Sequence, residues 1–502
     1  MSYYFVSVGG SGARVLESLT HLAVAGLLPN ENGEGLLYVT CVDPDTGNGN
    51  LDRTSVLLNH VLNFRDVDVR SDTPLFKTPL EINDSVWRIT ELNTSLDKVT
   101  SWQTYKESKV GKLYESLYTK DERSELLNEG FRGRPSIGAA VMGMNATANA
   151  NDSWANFINK VSAELNNGKE ARVFLAGSIF GGTGASGIPT IAKLLRDQFR
   201  AYDKSLHIGA LLLLPYFSFS PNNEEKKECG LYASAENFLT NTKAALHYYA
   251  DNGSNLFDSM YFVGDDVMEK TPNFSIGAGT QRNDAHIVDL FGAFAAAHFY
   301  QGEKGQHCYS ISRNAQDIFT WQDLPSLRTE KNIKIPVKER FVQFVRFIFA
   351  YLVFVKPALP KLSDGGSAEG NAWYTDYWKG RIDIKDTEVM HFEQYAEKFV
   401  RWLGQTETYG RRIELINPEA FKITENNVHI EEAYFNKLDF VERKKDKNDI
   451  SAVKAYLNAH GTADRKGSKG FFGFGGSDRA PAGTKQEFGL FLRRLYDACE
   501  VK

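Results

Sequence analysis

Cysteine is scarce and never paired. Cys41, Cys229, Cys308 and Cys499 are scattered over 502 residues without a CxxC, which argues against a disulfide framework or a zinc ribbon. The histidines, His286, His298 and His307 among them, have no spacing suited to a metal. Charge of one sign is lacking too: the formal net charge is −5, with acidic and basic residues interspersed, so no general attraction to nucleic acid or a membrane surface is implied. The opening "MSYYFVSVGG" has no leader-like succession of basic, apolar and small residues. The longest apolar run, 341–355, is broken by Arg346 and falls short of the roughly 20 residues that cross a bilayer. We therefore expect a reducing cytoplasm, no transmembrane segment and no direct nucleic-acid partner. The lysine-bearing GxxxxGK[ST] is missing as well, and "GGSGAR" after the first strand-like run does not supply the third glycine of GxGxxG.

What is present is a βαβ rhythm. β-Branched and aromatic runs at 3–8, 36–43, 172–176, 207–214 and 259–263 are apolar enough for a parallel sheet buried on both faces. Helical patterns separate them, as in 15–28, where Leu16, Leu19, Ala23 and Leu27 share a face. The expected fold class is α/β, a doubly wound, mostly parallel sheet. Ligands of such sheets sit at the carboxyl ends of the strands, which directs attention to the loops that follow them.

Three of those loops are unusual. "VGGSGARV" (8–15) would let backbone N–H groups face an anion at a helix start, or would be a plain turn. "VDPDTGNGN" puts Asp43 and Asp45 at a strand end, where carboxylates hold magnesium through water, contact a ribose, or simply favour the turn. "GSIFGGTGASGIPTIAKLL" (177–195) brings a glycine turn, hydroxyls and a positive helix end to one point, an arrangement that binds phosphate oxygens.

That last stretch, within "FLAGSIFGGTGASGIPTIA", resembles the tubulin/FtsZ signature loop, with Phe180 where the family commonly has its first glycine. Other segments are similar in the family's order. "VSVGGSGARV" resembles the first phosphate loop, with Arg14 where asparagine is frequent, and "TCVDPD" the second. "RGRPSIGAAVMG" resembles the third, which senses the terminal phosphate, and "LLLLPYFSFS" the fifth. "MYFVGDD" is similar to the loop before the central helix, and "QRNDAHIVDLFGAFAAAHFY" to that helix. The resemblance implies a divergent prokaryotic tubulin/FtsZ-like GTPase with a long central helix and a second, α+β C-terminal domain. It implies that GTP or GDP with Mg2+ would be held by Gly9, Gly10, Ser11, Gly12, Ala13 and Arg14; by Asp43 and Asp45, with no direct metal ligand; by Arg132, Arg134 and Ala139; by Gly177, Ser178, Gly181, Gly182, Thr183 and Gly184; by Asp265; and by Asn283 at the guanine. On chemistry alone Arg132 and Arg134 neutralise phosphate or are ordinary loop arginines. Asn283, a donor and an acceptor, reads a guanine edge or caps a helix.

In the family, acids after the central helix serve the nucleotide of the next subunit. Here that segment reads "QGEKGQHCYSISRNAQDIFTWQDLP", with no familiar motif, and Glu303, Asp317 and Asp323 are the candidate acids. The expected organisation is a GTP-binding domain over 1–282, a central helix over 283–301, an activation-like domain over 302–460, and a glycine-rich linker with an amphipathic helix over 461–502. "FVQFVRFIFAYLVFV" reads as a buried helix or an interaction helix. In the tail, Phe488, Phe491, Leu492 and Leu495 share a face that docks on its own domain, on a neighbour or on a partner.

The resemblance implies self-assembly, head to tail, with GTP hydrolysis coupled to it. One alternative is a non-polymerising GTP-controlled scaffold recruiting a partner through the tail; another is an NAD-dependent oxidoreductase, against which the missing third glycine of "GGSGAR" counts.

Overall fold

The computed structural model describes residues 2–29, 35–68, 75–76, 78–83, 86–88, 93–131, 133–145, 152–218, 235–265, 269–270, 278–302, 305–311, 319–320, 323–328, 332–408, 413–414, 416–417, 420, 422–424, 427–431, 435, 438, 450–460 and 484–500. The chain forms two compact units, one of Met1–Thr20, Glu34–Val56 and Pro79–Asp317, the other of His21–Gly33, Leu57–Thr78 and Ile318–Lys502.

In the first unit, strands alternate with helices: β1 (Ser2–Val8), helix Gly9–Val24, β2 (Leu37–Val42), helix Gly49–Phe64 and β3 (Leu80–Ile82). After several short helices come helices Pro135–Asn145 and Asp152–Asn166, β4 (Ala171–Ser178), helix Gly182–Gln198, β5 (Leu206–Leu213) and β6 (Phe217–Ser218). Helix Ala235–Leu256, β7 (Ser259–Val263), β8 (Glu269–Lys270), the central helix Ile287–Phe299 and β9 (His307–Ile311) complete it. Seven strands form one sheet in the order β3-β2-β1-β4-β5-β7-β9, and each pairing in it is parallel. The expected doubly wound α/β architecture is what the chain adopts.

Period-two alternation explains why the strands are apolar throughout. Tyr4 points to one face and meets Phe157 of helix Asp152–Asn166, ring centroids 5.9 Å apart. Its neighbour Tyr3 points to the other and stacks on Tyr300 at the end of the central helix, at 4.6 Å. Both faces of the sheet are therefore core.

The central helix starts at Ile287, four residues after the expected start at 283. His286 caps it: its Nδ1 accepts the Val288 N–H at 3.2 Å, while Asp289 accepts the His286 N–H at 3.0 Å. The backbone of His286 is extended, with φ −123° and ψ 153°, which ends the helix there, and before it the Asn283 N–H donates to Asn50 Oδ1 at 2.8 Å.

The second unit is mainly helical. Helix Val337–Ala350 continues through a π-helical turn, Tyr351–Val355, into Lys356–Ser363. That continuous helix, longer than the apolar run in its middle, is long and apolar enough to cross a membrane by length and composition, and 61% of its most apolar window is buried inside the protein. Its Phe344 meets Phe399, and its Phe347 meets Phe392, of helix Thr387–Thr408, at 5.2 and 5.7 Å. Arg346 is buried among these rings with its guanidinium 5.2 Å from the Phe435 ring. Two short strand pairs join them, β10 (Phe319–Thr320) with β11 (Ile413–Glu414) and β12 (Lys422–Thr424) with β13 (Asn427–His429). The expected linker, 461–483, lies outside the described residues.

The tail helix, Thr484–Ala498, is a core element of this unit. Phe488, Phe491, Leu492 and Leu495 are all fully buried. Phe491 packs on Trp373 and Trp378 at 5.7 and 5.3 Å, so of the three docking modes open to this helix the structure shows docking on its own domain. Replacing Phe491 by Ala removes a ring from this cluster and is expected to cost about 3–5 kcal/mol, read as a shifted midpoint in urea unfolding of the full chain.

Candidate functional site

The strand order reverses between β1 and β4. From β1 the chain moves outward to β2 and β3, then returns to β4 on the opposite side of β1. The connections leaving these two neighbouring strands therefore part in opposite directions, and a crevice opens at their carboxyl ends. Both strands run almost directly into helices, at Gly9 and at Gly182. Gly9 has φ +73°, in the left-handed region. Backbone crowds the same corner: a Cβ on Gly12 would lie 2.4 Å from Ala176 O, and one on Gly184 would lie 2.3 Å from Ser178 O.

Gly181 is the N-cap of helix Gly182–Gln198 and offers no side-chain cap. The N–H groups of that first turn have no intrahelical acceptor, which makes the helix end a place for an anion. Three loops meet at Thr183. A Cβ on Gly9 would lie 3.3 Å from Thr183 Cβ, and one on Gly130, in the turn before helix Pro135–Asn145, would lie 3.8 Å from Thr183 Oγ1. Gly9, Gly10, Ser11, Gly12, Gly177, Ser178, Gly181, Gly182, Thr183 and Gly184 thus surround one crevice. The expected first-glycine position holds Phe180, whose ring is buried against Phe217 and Phe238 at 5.6 and 4.7 Å.

Carboxamides line the neighbouring corner. Gly10 abuts Asn48, whose Nδ2 would be 3.0 Å from a Cβ there and donates to Gln281 Oε1 at 2.5 Å. Asn50 Nδ2 donates to Asn283 Oδ1 at 3.2 Å, and Arg53, itself paired with Glu17 at 2.6 Å, donates to the Asn283 carbonyl. These bonds hold Asn283 against the start of helix Gly49–Phe64 and leave its Nδ2 without a partner among the described residues.

The charged residues are arranged differently from the expectation. Arg14 is buried: it pairs with Asp289 of the central helix at 3.4 Å, donates to the Tyr216 hydroxyl, and lies 5.4 Å from the Phe217 ring centroid. Tyr216 in turn donates to Asp289 at 2.7 Å. Burial opposes the Arg14 charge, and Asp289, Tyr216 and Glu17 together outweigh that and raise its pKa. Its guanidinium therefore faces the central helix. Ala13 is also fully buried.

Asp43 is buried and accepts the Asp45 N–H at 3.0 Å. Burial pushes its carboxyl up to about 8. Asp45 accepts the Gly47 N–H at 3.2 Å. No group of three or more His, Cys, Asp or Glu side chains suited to a metal occurs among the described residues.

Arg134 is buried and lies 3.7 Å from Glu122. Ala139 is exposed on helix Pro135–Asn145, and Asp265 stands half-buried two residues beyond β7. Of the candidate acids, Asp323 belongs to the second unit and accepts the Thr320 N–H and hydroxyl at 2.7 and 3.0 Å. Arg132, Glu303 and Asp317 lie outside the described residues.

Residues 4–246 match the family described as Tubulin like. That stretch, just under half of the chain, is tubulin-like. The tubulin-like portion holds both glycine loops and the strand reversal between them. Among solved structures the chain is similar to CetZ1 from Haloferax volcanii, a GDP-bound monomer, at 13% identity over 53% of this chain and 51% of that one, TM-score 0.24. It is similar to CetZ from Methanosaeta thermophila at 14% identity over 53% and 46%, TM-score 0.24, and to an FtsZ mutant of M. jannaschii at 11% over 60% and 56%, TM-score 0.25. The alignment thus spans about half the length of each of these proteins. No curated protein matches the chain.

Sequence reasoning missed Asn48, Asn50, Gln281, Tyr216 and Asp289 as members of this site. "GNGN" hinted at an amide-rich turn, but nothing linear joins residue 50 to residue 283.

Two measurements probe the buried charges. Asp43 keeps its proton in the folded chain up to about 8, against an ordinary value of 3.8. The folded state therefore binds more protons between those values, and stability falls as pH rises through that window. Asp43→Asn should be more stable than the parent at pH 8 by roughly 1–3 kcal/mol and nearly equal at pH 4, in thermal melts of the ligand-free chain. Arg14→Met leaves the buried Asp289 without its cation and should cost about 3–5 kcal/mol in urea unfolding, part of which a second change, Asp289→Asn, restores.

Proposed function

We propose that the first unit binds GTP or GDP in the crevice between β1 and β4 and that the chain assembles head to tail into filaments with nucleotide at the subunit interface. One observation carries the reading: two helices start at the carboxyl ends of adjacent strands, one of them uncapped, where Gly12 and Gly184 leave no room for a Cβ. Such a corner suits phosphate oxygens, because first-turn N–H groups and the helix dipole favour negative charge. Thr183 supplies a hydroxyl at the meeting point of the loops. The Nδ2 of Asn283 donates to the base edge, and its Oδ1 keeps one lone pair beyond the bond from Asn50.

Hydrolysis requires a group to orient or deprotonate water while the loops stabilise charge on the transferred phosphoryl. In this reading a second copy brings that group from its segment after the central helix, where Glu303, Asp317 and Asp323 stand. Magnesium would accompany the phosphates, and no step here depends on a protein ligand for it. A head-to-tail contact of this kind repeats into a filament. The tail-recruiting scaffold is less well supported, since the tail's apolar side chains are occupied within the second unit.

The test is sedimentation of the purified chain with GTP, GDP or a slowly hydrolysed GTP analogue, with phosphate release followed in parallel. The expected outcome is pelleting with the analogue, and pelleting followed by disassembly as phosphate appears with GTP. Tight GTP binding with no pellet at any concentration tried would overturn the filament and leave the scaffold.

A further inference from the structure

Helix Ala235–Leu256 touches both turns of the crevice through one side chain. Asn241 Nδ2 donates to Phe180 O at 3.1 Å and to Gly133 O at 3.2 Å. These carbonyls belong to separate loops: Phe180 lies in the turn before helix Gly182–Gln198, and Gly133 in the turn before helix Pro135–Asn145. A primary amide carries two N–H groups, so both bonds form at once.

The consequence follows from peptide geometry. In a trans peptide the carbonyl oxygen and the following N–H point in opposite directions. Holding Phe180 O therefore turns the Gly181 N–H away from Asn241, at the uncapped start of helix Gly182–Gln198. Holding Gly133 O anchors a turn already committed by φ +72° at Gly133 and by the bond from the Arg134 N–H to Phe131 O at 2.8 Å. The same helix grips Phe180 a second time, because Phe238 lies three residues before Asn241 and meets the Phe180 ring at 4.7 Å.

We propose that Asn241 is a positioning residue that sets the spacing of these two turns, so that they close together on the outermost phosphate and distinguish a nucleoside triphosphate from a diphosphate. The proposal rests on the nucleotide reading above. It assigns to Asn241 no contact with the nucleotide itself: the residue acts through two backbone carbonyls. Losing it frees each turn to adopt its own position, which weakens whichever ligand needs both.

The experiment measures affinity of the full chain for GDP and for a slowly hydrolysed GTP analogue by calorimetric titration, alongside thermal melts. The variants are Asn241→Ala, which removes both donors, and Asn241→Asp, which keeps the shape but sets a carboxylate against two carbonyls. Asn252→Asp makes the same charge change at an exposed site on the same helix and serves as the control. The expected result is a loss of about tenfold or more for the analogue and less than about threefold for GDP in the Asn241 variants, with the control unchanged. A folded Asn241→Ala chain with both affinities intact, or with both reduced equally alongside a lowered melting temperature, overturns the proposal and leaves the nucleotide reading standing. A parent chain that binds neither nucleotide overturns both.

Discussion

Close approach of backbone to backbone at the ends of β1 and β4 is the constraint on which the first unit depends. Two adjacent parallel strands there turn at once into helices that leave in opposite directions, and both helix starts press against the end of β4. Gly12 passes Ala176 O and Gly184 passes Ser178 O at distances no Cβ tolerates. The same crowding keeps side chains out of the corner, so what it presents is backbone N–H, the group that an anion takes most readily at a helix start. Packing and binding chemistry are therefore one geometric fact here, and the glycines serve both.

Around this corner the charges are turned inward. Arg14, Tyr216 and Asp289 form a buried cluster that joins the first helix, the loop after β5 and the start of the central helix. A buried pair of this kind contributes little net stability, because desolvation offsets its attraction, yet removing one member is costly. Its effect is to fix where the central helix begins relative to the first glycine loop. Asp43 behaves comparably, since burial holds its proton and the carboxyl secures the turn that leads to Asn48 and Asn50.

The second unit is held by rings. Phenylalanines of the long helix interlock with those of helix Thr387–Thr408, and the tail helix closes on Trp373 and Trp378. Aromatic side chains bury large areas with few rotatable bonds, which suits a mainly helical unit assembled from distant stretches of chain. Its segments at 21–33 and 57–78 begin with the distal parts of helices Gly9–Val24 and Gly49–Phe64, whose first turns belong to the other unit.

Much of this was legible in linear order. Period two in residues 3–8, glycine clusters at strand ends and the helical spacing of Phe488, Phe491, Leu492 and Leu495 each depend on local geometry, and local geometry is written in neighbouring residues. The family resemblance rested on the same short segments. The central helix starts at Ile287 and not at 283 because the extended His286 takes the N-cap with Asp289, while Asn283 is held by Asn50, far away in sequence. The direction of Arg14 was misjudged because Asp289 lies across the fold. The sequence by itself thus determined the strands, the helices and the glycine turns, whose energies are set within a few residues. Only the tertiary structure decided which polar groups face the crevice and which face each other, because a buried charge or amide takes its partner from whatever the fold brings within hydrogen-bond reach.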